Sequence, residues 1–262
     1  MPTNNTFTST KEAWKRLADI DYFSMFVKVY IPFNAWMNLD YGTLDTDRAK
    51  INEVKRTRNA FRNKIVSLLQ DRDQDAVAFR VNVGDLHVAL EQAQIYNQDR
   101  RVSFACIRYK SDNQSTCDKS FNKMKYHAHL DNNSTETIVE IKNRKGEKVF
   151  SYTFEKYEYD IEVVGRALTS VKQSWRDELI GCYKSVAPLS IESLLDNGTS
   201  EHPILCGDIR FIEDTEKIAI GLIEILFNLR NALFHGEINP NNDAHKVYGA
   251  AYHLLRRLIE FL

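Results

Sequence analysis

The chain has 262 residues, 43% of them hydrophobic and 27% charged, and its formal net charge is −1. That content supports a sizeable core as one domain, or as one domain with an insertion, and the absence of repeats or low-complexity tracts excludes a fibrous or disordered chain. The near-zero charge points to no class of partner, and no run approaches the roughly 18 apolar residues of a membrane span.

Ser9 or Thr10 can cap a helix starting at residue 11, with Trp14, Leu17, Ile20, Phe23, Phe26 and Val27 at helical spacing. Pro32 is expected to break or kink it, after which 33–41 resumes and Gly42 stops it. Asp45 to Asp47 cap a segment predicted as one helix over 48–70, with Ile51, Val54, Phe61, Ile65 and Leu68 inward. Its other face is basic: from residue 48 to 64 seven lysines and arginines stand against Glu53 alone. A solvated face and a phosphate-binding surface both fit, and Lys55, Arg56, Arg58 and Arg62 are the candidate RNA contacts. Gly84-Asp85 is expected to open a further helix over 86–97.

The pattern then alternates. Residues 102–109, 123–130, 136–142 and 148–154 read as four short strands, with Asn143-Arg-Lys-Gly146 as a hairpin turn and the polar stretch 111–119 as a loop. His127 and His129 share a strand face at a spacing that can bind metal, but no third ligand is in view, so no metal site is expected. A long helix follows to about Val186, ended by Pro188, with a short helical turn at 191–195. The predicted fold is mainly α (α+β). An antiparallel helical bundle is built from both ends of a single domain, 1–262, and a small antiparallel β lobe is inserted at 100–155.

The stretch from Asp214 to Gly236 has a capping residue before it, a glycine after it and apolar residues on nearly every side, as a helix buried in a bundle or interface has. At 100° per residue, Lys217, Glu224, Asn228, Asn231 and His235 fall within about 60° of one another, a polar stripe on a greasy rod. Either another helix satisfies that stripe, or it lines a groove that something polar enters. Arg230 lies just off it. Arg230 and His235 are separated by about 7.5 Å of rise and roughly 140° of azimuth, so one chain makes a poor joint site and two such helices about a twofold axis a better one. After this helix, Asp243 is expected to cap a last one with Val247, Ala251, Leu254, Leu255, Leu258 and Leu262 inward.

The string Leu-Arg-Asn-Ala-Leu-Phe-His-Gly-Glu at 229–237, closing an apolar helix before a final amphipathic one, resembles the HEPN superfamily. The signature there is an arginine, usually a polar residue, three variable residues and a histidine. The segment Tyr-Ile-Pro-Phe-Asn-Ala-Trp-Met-Asn-Leu-Asp-Tyr-Gly at 30–42, with Thr46-Asp-Arg48, is similar to the N-terminal part of a bacterial subgroup. The resemblance spans roughly 10–70 and 210–262. It implies a HEPN-like bundle, a homodimer with the paired motifs in one cleft, and a metal-independent endoribonuclease of toxin or antiphage-defence type, without cofactor, acting on an RNA substrate such as tRNA or mRNA. An antitoxin or defence-system protein is a possible partner. The toxin branch that pairs with nucleotidyltransferase antitoxins often has a tyrosine two residues after the histidine. Glu237 stands there in this chain, so regulation through such a tyrosine does not carry over.

In that chemistry histidine exchanges the proton of a ribose 2′-hydroxyl or of the leaving 5′-oxygen, while arginine holds the phosphate and stabilises transition-state charge. Arg230, His235 and Asn231 are the expected catalytic residues, Asn231 orienting His235 or contacting the phosphate. Asn228 and Glu224 are supporting candidates, and equally satisfied structural polar groups. The alternative is a non-catalytic dimeric HEPN module that binds RNA, nucleotide or a partner protein. Cys106, Cys117, Cys182 and Cys206 show neither Cys-x-x-Cys spacing nor a zinc pattern, and the polar start carries no signal-peptide pattern, so a cytoplasmic protein with reduced thiols is expected.

Overall fold

The computed structural model describes residues 21–98, 100–111, 113–134 and 136–262. In chain order the elements are helices α1 (Tyr22–Asp40), α2 (Asp47–Arg56), α3 (Ala60–Gln70) and α4 (Gln74–Ala93), then strands β1 (Tyr96–Asn97), β2 (Arg100–Arg101), β3 (Ile107–Lys110), β4 (Thr116–Phe121), β5 (Met124–Leu130), β6 (Thr137–Lys142) and β7 (Lys148–Phe154). Helices α5 (Ile161–Ala167) and α6 (Gln173–Ser185) follow, then β8 (Leu189–Glu192), β9 (Ile204–Cys206) and β10 (Ile209–Phe211), and finally α7 (Thr215–Phe234) and α8 (Asn242–Leu258). Helices and small antiparallel sheets thus coexist in an α+β chain. Among the described residues no helix is long and apolar enough to cross a membrane. The described residues divide into two compact units, one running up to Ile107 and resuming over Glu192–Leu262, the other Arg108–Ile191.

The first unit is helical and joins both ends of the chain. Its core is aromatic: Phe26, Phe33, Phe61, Phe79 and Tyr248 are buried, and the Phe33 and Phe61 rings lie 4.5 Å apart. Helix α8 packs on α4 and α1, and the Tyr248 hydroxyl donates to the Leu229 carbonyl at 2.7 Å, tying α8 to α7.

Several boundaries differ from those expected. The proposed start at residues 9–20 lies outside the described residues; α1 is capped by Asp21, which accepts from the amides of Phe23 and Ser24. Pro32 sits inside α1 without ending it. Lys28 and Pro32 are both exposed residues, so the missing amide falls on the solvent side of the helix, where it is tolerated best. The single helix predicted for 48–70 is two, because the Asn59 amide donates to the carbonyls of Val54 and Thr57 while its oxygen caps Arg62. Conversely, α4 runs through Gly84. That glycine serves close approach: a Cβ there would stand 2.1 Å from the Cys206 carbonyl oxygen of the β9–β10 hairpin. The last helix is capped by Asn241, not Asp243.

The second unit holds a four-stranded meander, β4-β5-β6-β7, with α6 packed on one face. Tyr126, Ala128, Val139 and Ile141 point to that face and meet Val164, Leu168, Leu179 and Tyr183. The compact unit, Arg108–Ile191, both begins and ends later than the lobe expected at 100–155, because residues 164–186 supply about half of its core. The strand predicted for 102–109 does not join the sheet: Ser103 caps a 3₁₀ turn at Phe104–Cys106, and only β3 remains extended, pairing with β8. The fourth strand is Thr116–Phe121, read from sequence as loop because its edge position leaves it polar. The long helix expected up to Val186 is interrupted at 168–172, where Arg176 ties down the carbonyls of Thr169 and Val171. Residues 191–195, expected as a helical turn, carry the end of β8 and a bridge from Leu195 to Phe211.

Candidate functional site

The polar stripe of α7 occupies the first unit and changes character along its length. Asp214 caps the helix through the Lys217 amide at 3.0 Å, and Lys217 Nζ donates to Glu192 at 2.8 Å. Two turns on, Glu224 is 9% exposed. Arg48 Nη1 donates to both of its oxygens at 2.8 and 2.9 Å, Lys55 Nζ to Oε2 at 2.7 Å, and Asn228 Nδ2 to Oε1 at 3.1 Å. Asn228 accepts in turn from Asn97 Nδ2 at 2.9 Å, and the Arg48 guanidinium lies 4.4 Å over Phe227. Burial pushes the Glu224 carboxyl upward, but the charges of Lys55 and Arg48 and their hydrogen bonds outweigh it, leaving the group below its ordinary value. Another helix therefore satisfies this part of the stripe. Glu224 and Asn228 hold α7 to α2 and β1.

The C-terminal end is different. Arg230, its side chain 26% exposed, donates to Asn231 Oδ1 at 2.9 Å, lies 3.3 Å from Asp47 Oδ2, and stacks 4.8 Å over the exposed Phe234 ring. Three neighbours from two helices thus fix one guanidinium. His235 is the C-cap residue, its amide donating to Asn231 O at 2.9 Å. Gly236, at φ +68°, donates to Leu233 O, and Glu237 N to Ala232 O, the two bonds of a Schellman closure. The Glu237 carboxylate accepts from the Gln98 amide at 3.0 Å, which pins the turn after the motif to the β1–β2 hairpin. The His235 imidazole is exposed and makes no hydrogen bond or ion pair among the described residues. One chain therefore presents a fixed arginine and an available histidine. Within one chain the Asn231 side chain accepts from Arg230, and among the described residues it makes no hydrogen bond to the His235 ring.

Sequence reasoning missed Asp47 as a partner of Arg230, though Thr46-Asp-Arg48 had been singled out, because the approach of α2 to α7 is a tertiary fact. It also missed Tyr30, whose buried hydroxyl has no hydrogen-bond partner among the described residues and whose pKa is raised by burial, with Arg230, Asp47, Arg48 and Glu224 the charges acting on it.

The basic face over α2 and α3 is not a single RNA-facing surface. Lys55 is turned inward to Glu224 and 15% exposed. Arg62, 13% exposed, pairs with Glu216 at 2.6 Å and reaches the carbonyls of Arg56 and Thr57. Arg56 and Arg58 stay at the surface, Arg56 bound to Glu53 at 2.6 Å. Lys55 and Arg56 end one helix, Arg62 begins the next, and Arg58 lies in the linker that Asn59 closes. Among the described residues no group of His, Cys, Asp and Glu could hold a metal ion; His127 bonds Asp118 at 2.9 Å and His129 bonds Thr116 at 3.0 Å. No protein-family model, curated protein or solved structure matches the chain.

Proposed function

We propose that the chain is a metal-independent endoribonuclease of HEPN type, acting as a homodimer in which two copies of the Arg230–His235 end of α7 form one cleft. The observation that carries this reading is the contrast within the motif: Arg230 is held by Asp47, Asn231 and Phe234, while the His235 imidazole is exposed and makes no hydrogen bond or ion pair among the described residues. A positioned cation suits a phosphate whose charge grows in the transition state, and an accessible imidazole suits proton transfer. His235 of one copy takes the proton of the ribose 2′-hydroxyl as that oxygen bonds to phosphorus. The bond from phosphorus to the 5′-oxygen breaks, and His235 of the other copy, protonated, delivers a proton to the departing oxygen, leaving a 2′,3′-cyclic phosphate. Arg230 carries the phosphate charge throughout. DNA lacks the nucleophile and is spared. The role is that of a toxin or antiphage-defence nuclease in the cytoplasm.

The Arg230–Asp47 pair favours a second reading, because it neutralises the cation the chemistry would use. In that reading the end of α7 is a structural or binding element of a non-catalytic dimer. The two readings part in an RNA cleavage assay in EDTA, using wild type and His235→Ala on total tRNA and on an unstructured RNA, with both proteins verified as dimers. Cleavage by wild type alone, yielding cyclic phosphate ends, supports the nuclease. Equal cleavage by both proteins, or by neither, rejects it.

A further inference from the structure

A separate concentration of positive charge lies in the second unit, at the end of the meander that carries the β4–β5 and β6–β7 turns. Residues 119–125 and 142–148 hold seven lysines and arginines against one carboxylate, Glu147, in a chain whose net charge is −1. Lys119 is paired with Glu178, and Lys142 and Lys148 share Glu140. Lys123, Lys125, Arg144 and Lys145 are exposed and their side chains form no ion pair among the described residues.

The fold keeps these charges together against two local penalties. The register sets Lys125 directly opposite Lys142, which faces Lys148 in turn, so like charges line up across three strands. The β4–β5 turn places Asn122 and Lys123 at φ +45° and +69°, where Asn-Gly would close the same two-residue turn without a lysine Cβ in the left-handed region. Phe121, 43% exposed, stands beside that turn. Residues 120–125 and Arg144 line a groove of about 290 Å³ with no carboxylate among them.

We infer that this sheet end binds single-stranded RNA, with Lys123, Lys125, Arg144 and Lys145 on backbone phosphates and Phe121 stacked on a base. Clustered cations that form no ion pair match a phosphodiester backbone, and an exposed ring lining the same groove offers the stacking face that only an unpaired base can use. The choice of RNA over DNA rests on the nuclease reading; the surface itself does not.

The test is fluorescence anisotropy of a labelled 12-nucleotide oligouridylate with the full chain in EDTA, over a range of KCl concentrations. It is run on the His235→Ala background so that cleavage cannot intervene. The triple variant Lys123→Glu, Lys125→Glu, Arg144→Glu is expected to bind at least tenfold more weakly, with a salt slope shallower by about 2. Phe121→Ala is expected to weaken binding roughly tenfold at unchanged slope, and Phe121→Trp to restore it. The corresponding lysine-to-arginine variant, melting as wild type does, is expected to bind as wild type does.

Three results overturn the inference: no binding on the wild-type surface at low salt, binding within twofold in the triple variant, or tighter association with phosphatidylserine vesicles than with RNA. Equal affinity for a duplex of the same length, or an indifferent Phe121→Ala, overturns the single-strand assignment. Set beside the separate cleavage assay on the chain with His235 intact, cleavage there with binding here that does not depend on these residues refutes this surface and leaves the nuclease; binding here that depends on them with no cleavage there does the reverse.

Discussion

Glu224 and Arg230 stand about 9 Å apart along one helix, and their surroundings are opposite. Glu224 is enclosed, with two cations and an amide on its carboxylate. Arg230 is held from one side, and the residue that completes its motif is exposed at the helix end. The difference teaches how to divide the polar stripe of a buried helix. Where its groups are saturated within the chain they serve stability, and where one partner is held and its neighbour is open they are available to a ligand.

That division predicts unequal costs. Glu224→Ala should be the most damaging change, because it leaves Lys55 buried without a counter-charge. Arg48 is 43% exposed and regains water, so the loss falls near the lower end for a broken buried pair, about 3 kcal/mol by urea denaturation. The same carboxylate predicts a pH dependence. Its folded pKa is lowered, so its stabilisation is complete above the unfolded value of about 4.3 and is lost as pH falls through the lower folded value. The stability gap between wild type and Glu224→Gln should therefore be flat near neutral pH and close under acid; a gap that widens in acid contradicts the assignment. Next is Gly84→Ala, where a methyl would meet the Cys206 carbonyl oxygen at 2.1 Å and displace backbone, for about 1–3 kcal/mol in the same measurement.

These examples also show why some features were legible in the sequence and others were not. The Asp214 cap, the Gly236 stop and the turn at 143–146 are written in adjacent residues, and the sequence reading placed them where they occur. The break at Asn59 is not, because the apolar period continues across it while the bonds that make it reach back to Val54 and Thr57. Gly84 reads as a helix breaker until Cys206 is seen above it. β4 reads as a loop because an edge strand buries little. At the site, the motif residues could be placed at a helix end from sequence alone, whereas the capture of Glu224 by Arg48 and Lys55, and of Arg230 by Asp47, required the packing of α2 on α7.

The smaller effects sharpen the comparison at the two ends of α7. Asp214→Ala removes the acceptor of the Lys217 amide and should cost about 1 kcal/mol, the usual value of a lost helix cap. His235→Ala should cost less than about 0.5 kcal/mol, because the closure of the helix is made by backbone amides at 235, 236 and 237 and not by the imidazole. If urea denaturation shows the opposite order, the imidazole is part of the packing and the open end of the stripe is not open. If the order holds and His235→Ala abolishes cleavage while leaving the dimer intact, the loss belongs to proton transfer, since neither the helix, its cap nor the position of Arg230 depends on that ring.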